Sequence, residues 1–492
     1  MKNETREVWK SALIGAITLA ALICWLKFQP RLPDVKPKEK VGTKLLESFD
    51  DPGQMSRVEF TRIDPSSGEL QQLVLVRDGD IWRLPGIMNF PAENAEQVAK
   101  VVAPLIQLLV LDVVDETIGS SDSAKMDQFH RECGLLNPAN FDSGIEVASK
   151  SKNEDSNNEF GEIDLARGSA LAVKIEGVGG ETLVDLLIGS RVPESSATRD
   201  NRFVRFPNED VVYTVDFLGD STQEQGTTEF SEFPQRISFD PLDWIDADLL
   251  RISRWDILYL TTRDYSFSLA RTEDSEFQQE HVQQKGVAVF KQNVENSLSR
   301  MWSLKRLLLF SPDSSWKEVE NPDPETAQNE ALNDLVDALG ALKITDVRKK
   351  PDSLSNCFRN NRLDAELTAQ SGLLGNFGFS FFDHDPLNPQ NINPVLVGEG
   401  GCVEIKTKGG INIVLVFGKK FDNQRACLAY ASFDREALSE STNDETEVAF
   451  LAPESEKKAN LKNQRLSDWF YLISEEDYQK MHFRLSETIT QK

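Results

Sequence analysis

The chain carries the same succession of elements twice, and this duplication constrains its fold more than any other feature. A β-rich stretch, an isolated Trp-x-Leu, an amphipathic helix and a closing strand occupy residues 58–115, and the order returns over residues 257–350. In the first pass, residues 58–63 alternate like a half-buried strand, Asp64-Pro65-Ser66-Ser67-Gly68 turns, 73–77 returns, and Asp78-Gly79-Asp80 leads into Ile81-Trp82-Arg83-Leu84. Residues 93–111 take the helical period, with Val98, Val101, Val102, Leu105, Leu108 and Leu109 on one face. Pro104 is expected to kink that helix or split it. A strand then begins at Asp112-Val113-Val114-Asp115, and Gly134-Leu135-Leu136-Asn137-Pro138 follows.

Later hairpins pair 171–175 with 183–188, closed by Gly189, and 202–206 with 211–215 across Pro207-Asn208. The second pass answers in order. Strands at 257–261 and 265–270 precede Met301-Trp302-Ser303-Leu304, and Leu332, Leu335, Val336, Leu339 and Leu342 form the helix face before a strand at 344–347. Gly372-Leu373-Leu374 answers Gly134-Leu135-Leu136; 403–406 and 411–417 answer the central hairpin, with Gly418 matching Gly189; 470–473 is the last strand. The shared position of Trp82 and Trp302 makes them core anchors between sheet and helix. Glycine pairs Gly179-Gly180 and Gly409-Gly410 read as hairpin turns that need positive φ. The polar stretches 221–232 and 439–466 read as loops.

Ahead of the repeats, residues 11–26 are apolar apart from Ser11 and Thr18, with Trp9, Trp25 and Phe28 near the ends, enough at 1.5 Å per residue to span a ~30 Å hydrocarbon core. Trp25-Leu26-Lys27 is a poor cleavage context, so an uncleaved anchor is expected instead of a signal peptide. The organisation is then a cytoplasmic tail at 1–10, a transmembrane anchor at 11–28, a stalk at 29–55, a first repeat unit at 56–239, a connector at 240–256 and a second unit at 257–492. The fold class expected is α+β: an N-terminal transmembrane helix followed by two tandem repeated units of antiparallel sheet, each with one main packed helix.

Orientation is contested by the residues themselves. Lys27, Arg31, Lys36, Lys38 and Lys40 after the span outnumber Lys2, Arg6 and Lys10 before it, favouring a cytoplasmic C-terminus. One long domain behind an N-terminal signal anchor translocates largely regardless of charge, and this places the C-terminal part in the periplasm, outside the inner membrane. Cysteine leaves the compartment open: Cys133, Cys357, Cys402 and Cys427 form no Cys-x-x-Cys, and Cys402 with Cys427, on neighbouring expected strands, either pair or stay buried thiols. The net charge of −26 excludes a nucleic-acid partner, since phosphate binding needs a concentrated basic surface. The basic clusters at 347–350 and 456–458 read as solvated.

Candidate chemistry is sparse. Asn153, Asp155, Asn157, Glu159 and Asp164 approach calcium-loop spacing, but Asn158 stands where the sharp turn wants glycine, and a solvated acidic loop is the better account. Asp383-His384-Asp385 puts oxygen and nitrogen ligands together, yet a metal needs more partners. His130, His281 and His482 have no recurring partners; no Gly-x-Ser-x-Gly, Walker lysine or Gly-x-Gly-x-x-Gly is present. No catalytic, cofactor-binding or metal residue is therefore assigned, and no cofactor is expected.

Ile81-Trp82-Arg83-Leu84-Pro85, Cys133-Gly134-Leu135-Leu136-Asn137-Pro138, Leu187-Ile188-Gly189-Ser190 and Asp248-Leu249-Leu250, together with the span, resemble a bacterial family built on a domain of unknown function. Its members carry a Trp-x-Leu and then a Tyr-Gly-Leu-x-x-Pro pattern. Here Cys133 replaces the aromatic residue, and no proline follows Gly372-Leu373-Leu374. The likeness covers most of the chain beyond the anchor. It implies an origin beside ABC-2 type and gliding-motility-like transporters, and no catalytic residues. The expectation is a non-enzymatic, membrane-tethered envelope accessory protein that binds a partner protein, an ABC transporter being the implied partner. A hydrolase using the acidic loop or Asp383 and Asp385, and a glycan- or cell-wall-binding module, are the alternatives.

Overall fold

The computed structural model describes residues 40–490 except 48, 94, 115–122, 142–164, 194–198, 218–231, 272–276, 294–300, 361–366, 368, 384, 391–393, 443 and 482. The expected anchor, and most of the stretch 221–232, lie outside the described residues. Among the described residues no helix is long and apolar enough to cross a membrane. By its contacts the chain divides into two compact units, Met1–Leu73 with Ala99–Ile237, and Val74–Val98 with Ser238–Lys492.

The fold is α+β, carried by two nine-stranded antiparallel sheets. The elements of the first are β1 (Met55–Ile63), β2 (Leu70–Asp78), β3 (Ile81–Leu84), β4 (Phe90–Ala92), helix α1 (Ala95–Ile106), β5 (Val110–Val113), helix α2 (Ser123–Glu132), β6 (Leu171–Gly177), β7 (Thr182–Arg191), β8 (Asn201–Arg205) and β9 (Tyr213–Asp216). The second begins with β10 (Ile257–Arg271), β11 (Phe277–Asn293), β12 (Met301–Phe310), β13 (Trp316–Glu318), helix α3 (Asn329–Gly340) and β14 (Ile344–Lys349). Helices α4 (Asp352–Arg359) and α5 (Ser371–Asn376) and a separate pair, β15 (Phe379–Phe382) with β16 (Val395–Gly398), come next. The chain finishes with β17 (Gly401–Thr407), β18 (Ile411–Phe421), β19 (Gln424–Phe433), helices α6 (Arg435–Thr442) and α7 (Glu445–Ser467), β20 (Trp469–Ser474), α8 (Glu475–Lys480) and α9 (Leu485–Thr488). The sheet orders are β4-β3-β2-β1-β6-β7-β8-β9-β5 and β13-β12-β11-β10-β17-β18-β19-β20-β14. Place for place, they are one order.

Local details repeat as well. In β5 the ladder slips between Val110 and Asp112, in β14 between Ile344 and Asp346, and each aspartate accepts the next N–H, at 2.8 Å from Val113 and 2.7 Å from Val347. A bulge frees one amide from the ladder, and the aspartate satisfies it locally. Leu45 N–H donates to Leu108 O and Val110 N–H to Thr43 O; correspondingly Leu249 N–H donates to Leu342 O and Ile344 N–H to Ala247 O. Lys44-Leu45-Leu46 and Asp248-Leu249-Leu250 thus open the two copies, one inside the segment read as a stalk and the other inside the connector.

The helix faces follow the periodicity. Val98, Val101, Val102, Leu105 and Leu108 are buried, as are Leu332, Leu335, Val336, Leu339 and Leu342. Leu109 departs from the expected face and is 48% exposed, because α1 ends at Ile106 and the extended chain turns it outward. Pro104 does not split the helix; it lies inside α1, which ends two residues later at Ile106.

Other expectations are corrected. Residues 257–261 and 265–270 form one strand, β10, because Arg263 and Asp264, read as a break, are buried and paired. The stretch 439–466 falls largely in α6 and α7 instead of a loop. Asp444 caps α7, and Val448, Ala452, Ser455, Ala459, Asn463 and Leu466 make a buried stripe too small and polar to read as apolar. Trp302 is 2% exposed and donates from Nε1 to Asn333 Oδ1 of α3 at 3.0 Å, whereas Trp82, at the matching place on β3, is half-buried. Lys350, read as solvated, is 1% exposed. Cys402 on β17 and Cys427 on β19 have β18 between them, a separation of roughly 10 Å that no disulfide bridges. None of the four described cysteines forms a disulfide, and all four are buried.

Candidate functional site

The chemistry candidates from the sequence separate in the structure. The calcium-like loop, His384 and His482 lie outside the described residues. Asp383 is exposed, while Asp385 is held bidentately by Arg263, Nη1 to Oδ1 at 2.8 Å and Nη2 to Oδ2 at 3.2 Å. Burial would raise the Asp385 pKa, but the guanidinium and the Leu387 N–H hold it below the carboxylate range. Asp385 therefore neutralises a strand cation, with Glu404 Oε2 a further 3.6 Å neighbour of Arg263. His130 is 4% exposed with Nε2 3.1 Å from Asp210 O, and burial lowers its pKa. Among the described residues no group of three or more His, Cys, Asp or Glu could hold a metal ion.

A second charge system went unread in the sequence. Asp264, 2% exposed, accepts from Arg484 Nη1 at 3.2 Å and from Leu485 N–H at 2.8 Å. Arg484 Nη2 reaches Tyr478 Oη at 2.8 Å, and the Tyr478 hydroxyl donates to Gly400 O at 2.7 Å. Arg425 stacks on the Tyr478 ring at 3.9 Å and forks onto Glu475 at 2.9 and 3.1 Å. Acid and base come from distant points of the chain, so no spacing rule could have paired them. The network ties the C-terminal helices α8 and α9 to β10 and β19.

The duplication then separates scaffold from embellishment. A Cβ on Gly189 would meet Cys133 O at 2.3 Å, and one on Gly418 would meet Phe377 O at 2.2 Å. Ser190 N–H donates to Cys133 O, and Lys419 N–H to Phe377 O. Gly134 and Gly378 both have positive φ, at 71° and 79°. The counterpart of Gly134 is therefore Gly378 within Phe377-Gly378-Phe379, not Gly372, which sits inside α5. Arg202 and Arg425 donate to Gly189 O and Gly418 O at 3.2 and 2.8 Å, and Tyr213 and Tyr471 are buried at matching places on β9 and β20. These shared residues belong to the fold.

Where the copies differ, a cleft opens. Phe377, Phe421 and Phe470 occupy the places of Cys133, Val192 and Val212. Phe377 stacks on Phe470 with centroids 4.1 Å apart and meets Phe421 edge-on at 6.2 Å. Above these rings lies a cleft of about 470 Å³ lined by Arg348, Phe377, Phe421, Asp422, Asn423, Gln424 and Leu472. Arg348 is paired with Asp346 at 2.5 Å, and Asp422 holds a left-handed φ of 49° at the β18–β19 turn. An aromatic floor with a short polar rim is the usual composition of a binding cleft. The sequence signal was the aromatic Phe377-Gly378-Phe379, passed over in favour of Gly372-Leu373-Leu374.

A family model described as "Domain of unknown function (DUF4340)" matches residues 82–357, more than half of the chain. The chain belongs to the DUF4340 family. The DUF4340 match begins at Trp82 on β3 and ends at Cys357 in α4, so it takes in the aromatic-Gly position of the first copy and stops short of the cleft's Phe377 and Phe421. No curated protein and no solved structure matches the chain.

Proposed function

We propose that this DUF4340 protein is a non-enzymatic, single-pass accessory protein of the inner membrane whose folded part lies in the periplasm and binds a partner protein. An ABC-2 type transporter is the partner class to which the family resemblance points. The observation that carries the reading is the aromatic cleft. Its rings are not required by the fold, because the same sheet is built in the first copy with Cys133, Val192 and Val212 in their places. Burying a partner's apolar side chain against such rings supplies affinity, and the rim amides of Asn423 and Gln424 supply hydrogen bonds to its backbone. The apolar run at 11–26 supports the tether, and the ion pair of Asp385 with Arg263 weighs against its use as a general acid or base.

The experiment is site-specific photocrosslinking in native membranes with the probe at Asn423, beside a control probe on the exposed face of α7 at Lys457. A discrete envelope-protein adduct at Asn423, absent at Lys457 and weakened by Phe421→Ala, supports the reading. A stoichiometric metal together with turnover in a hydrolase screen of the purified protein would replace it with an enzyme.

A further inference from the structure

Lys350 follows β14 and is 1% exposed. Its Nζ donates to Ser467 O at the end of α7, 2.9 Å away, and among the described residues that carbonyl is its one hydrogen-bond acceptor. The amine sits 4.0 Å above the Phe358 ring and 5.6 Å from Phe470. An ammonium ion has three donors to satisfy, and this slot offers one carbonyl and two ring faces. Burial pushes the lysine pKa down to about 7, with Asp468 and Cys427 opposing.

The groups facing it come from every neighbouring element. From the junction of α7 and β20 comes Asp468 and from β19 Cys427; beside them Asn463 of α7 donates from Nδ2 to Phe358 O at 2.9 Å. Arg359 Nη2 holds Asp468 Oδ2 at 2.5 Å. Asp468 Oδ1 is buried and accepts no hydrogen bond among the described residues. An under-supplied donor and an orphaned acceptor thus stand near each other at the junction of α7 and β20.

We propose that Lys350 and Asp468 form a proton-operated latch: the uncharged amine holds the end of α7 through Ser467, and on taking a proton it draws the Asp468 carboxylate away from Arg359 and shifts the start of β20. Phe470, the second residue of β20, stacks on Phe377, which lines the cleft, so the shift reaches the cleft. The balance is simple, because one proton from solvent binds the amine and no bond other than hydrogen bonds is exchanged. A charge forming between two ring faces is drawn to the neighbouring Asp468 carboxylate, whose Oδ1 is buried without a hydrogen bond among the described residues.

The effect on partner capture rests on the cleft reading, whereas the latch itself is measured without a partner. In the full-length protein labelled with [13Cε]lysine, one resonance is expected to titrate near 7, assigned by its loss in Lys350→Met. Lys462, pushed down to about 8, is identified by Lys462→Gln. Amide exchange at pH 6 and 8, corrected for intrinsic rates, should change by about threefold or more over residues 468–474 and 377–379 in the natural protein. In Lys350→Met and Lys350→Gln that change should vanish. Titration of every lysine above 9, or the same exchange response in either variant, overturns the latch. Ordinary lysines titrate near ~10.4, so both outliers stand apart from the rest and the two variants tell them apart. If the latch holds and crosslinking at Asn423 is indifferent to pH, the cleft reading fails alone.

Discussion

Asp385 shows how a residue picked for its chemistry turns out to hold a strand together. Removing its charge with Asp385→Asn leaves Arg263, side chain 10% exposed, with Glu404 as its remaining carboxylate partner among the described residues, and should destabilise by about 3 kcal/mol in urea denaturation. Because the folded carboxyl lies below its ordinary value, this stabilisation is complete above the unfolded carboxylate pKa. It is lost as pH falls through the folded value. Lys350 runs the other way. Its folded pKa, about 7, is depressed below the ordinary 10.5, so between those values the unfolded chain binds the extra proton and stability rises with pH. Lys350→Met should flatten that rise in denaturation midpoints measured from pH 7 to 10, and an unchanged slope would show that the lysine is solvated. Neither role was legible in the sequence. Val347-Arg348-Lys349-Lys350 looks like a charged surface run, yet Arg348 and Lys349 are exposed while Lys350 is buried over the Phe358 ring.

Helices and hairpins were the readable part, and the reason is physical. The apolar stripes of α1 and α3 repeat at three and four residues, and Ile81–Leu84 was bounded by a turn, so period and punctuation agreed. The Gln- and Glu-rich β11 has no such alternation in its first half and is held as a strand by its ladder to β10. α7 escaped because its buried stripe is mostly Ala, Ser and Asn, which carry no apolar period. The two tryptophans now separate by setting: Trp302→Ala should cost about 3–5 kcal/mol, and Trp82→Ala distinctly less, in parallel denaturation curves. At the glycines, Gly378→Ala combines a φ of 79° with a Cβ 2.4 Å from Lys419 N, and Gly134→Ala a φ of 71° with one 2.9 Å from Ser190 N. Both should lower stability by ~1–3 kcal/mol, the former by more, as read from thermal melting.

At the scale of the whole molecule, duplication was legible because order survives when residues diverge; the openings at Lys44-Leu45-Leu46 and Asp248-Leu249-Leu250 were not, since three residues carry no period. Topology across the membrane is testable in the intact chain: a reporter active only after export, fused behind Lys492, should be active, and a cytoplasm-only reporter silent. A bright cytoplasmic reporter would mean that Lys27 to Lys40 set the orientation and the partner lies inside the cell. One sheet order written twice on a polypeptide also creates a sorting problem during synthesis. A strand emerging from the ribosome finds an edge of the same register in either copy, and exchange between equivalent segments is the characteristic misfolding route of repeat proteins. One pair of equivalent ribbons differs in length: β1 and β2 have 9 residues each, whereas β10 and β11 have 15 and 17. A foreign partner would leave half the longer strand unpaired. A length difference there works as an address label against that exchange, one that β6 and β17, of 7 residues each, do not carry.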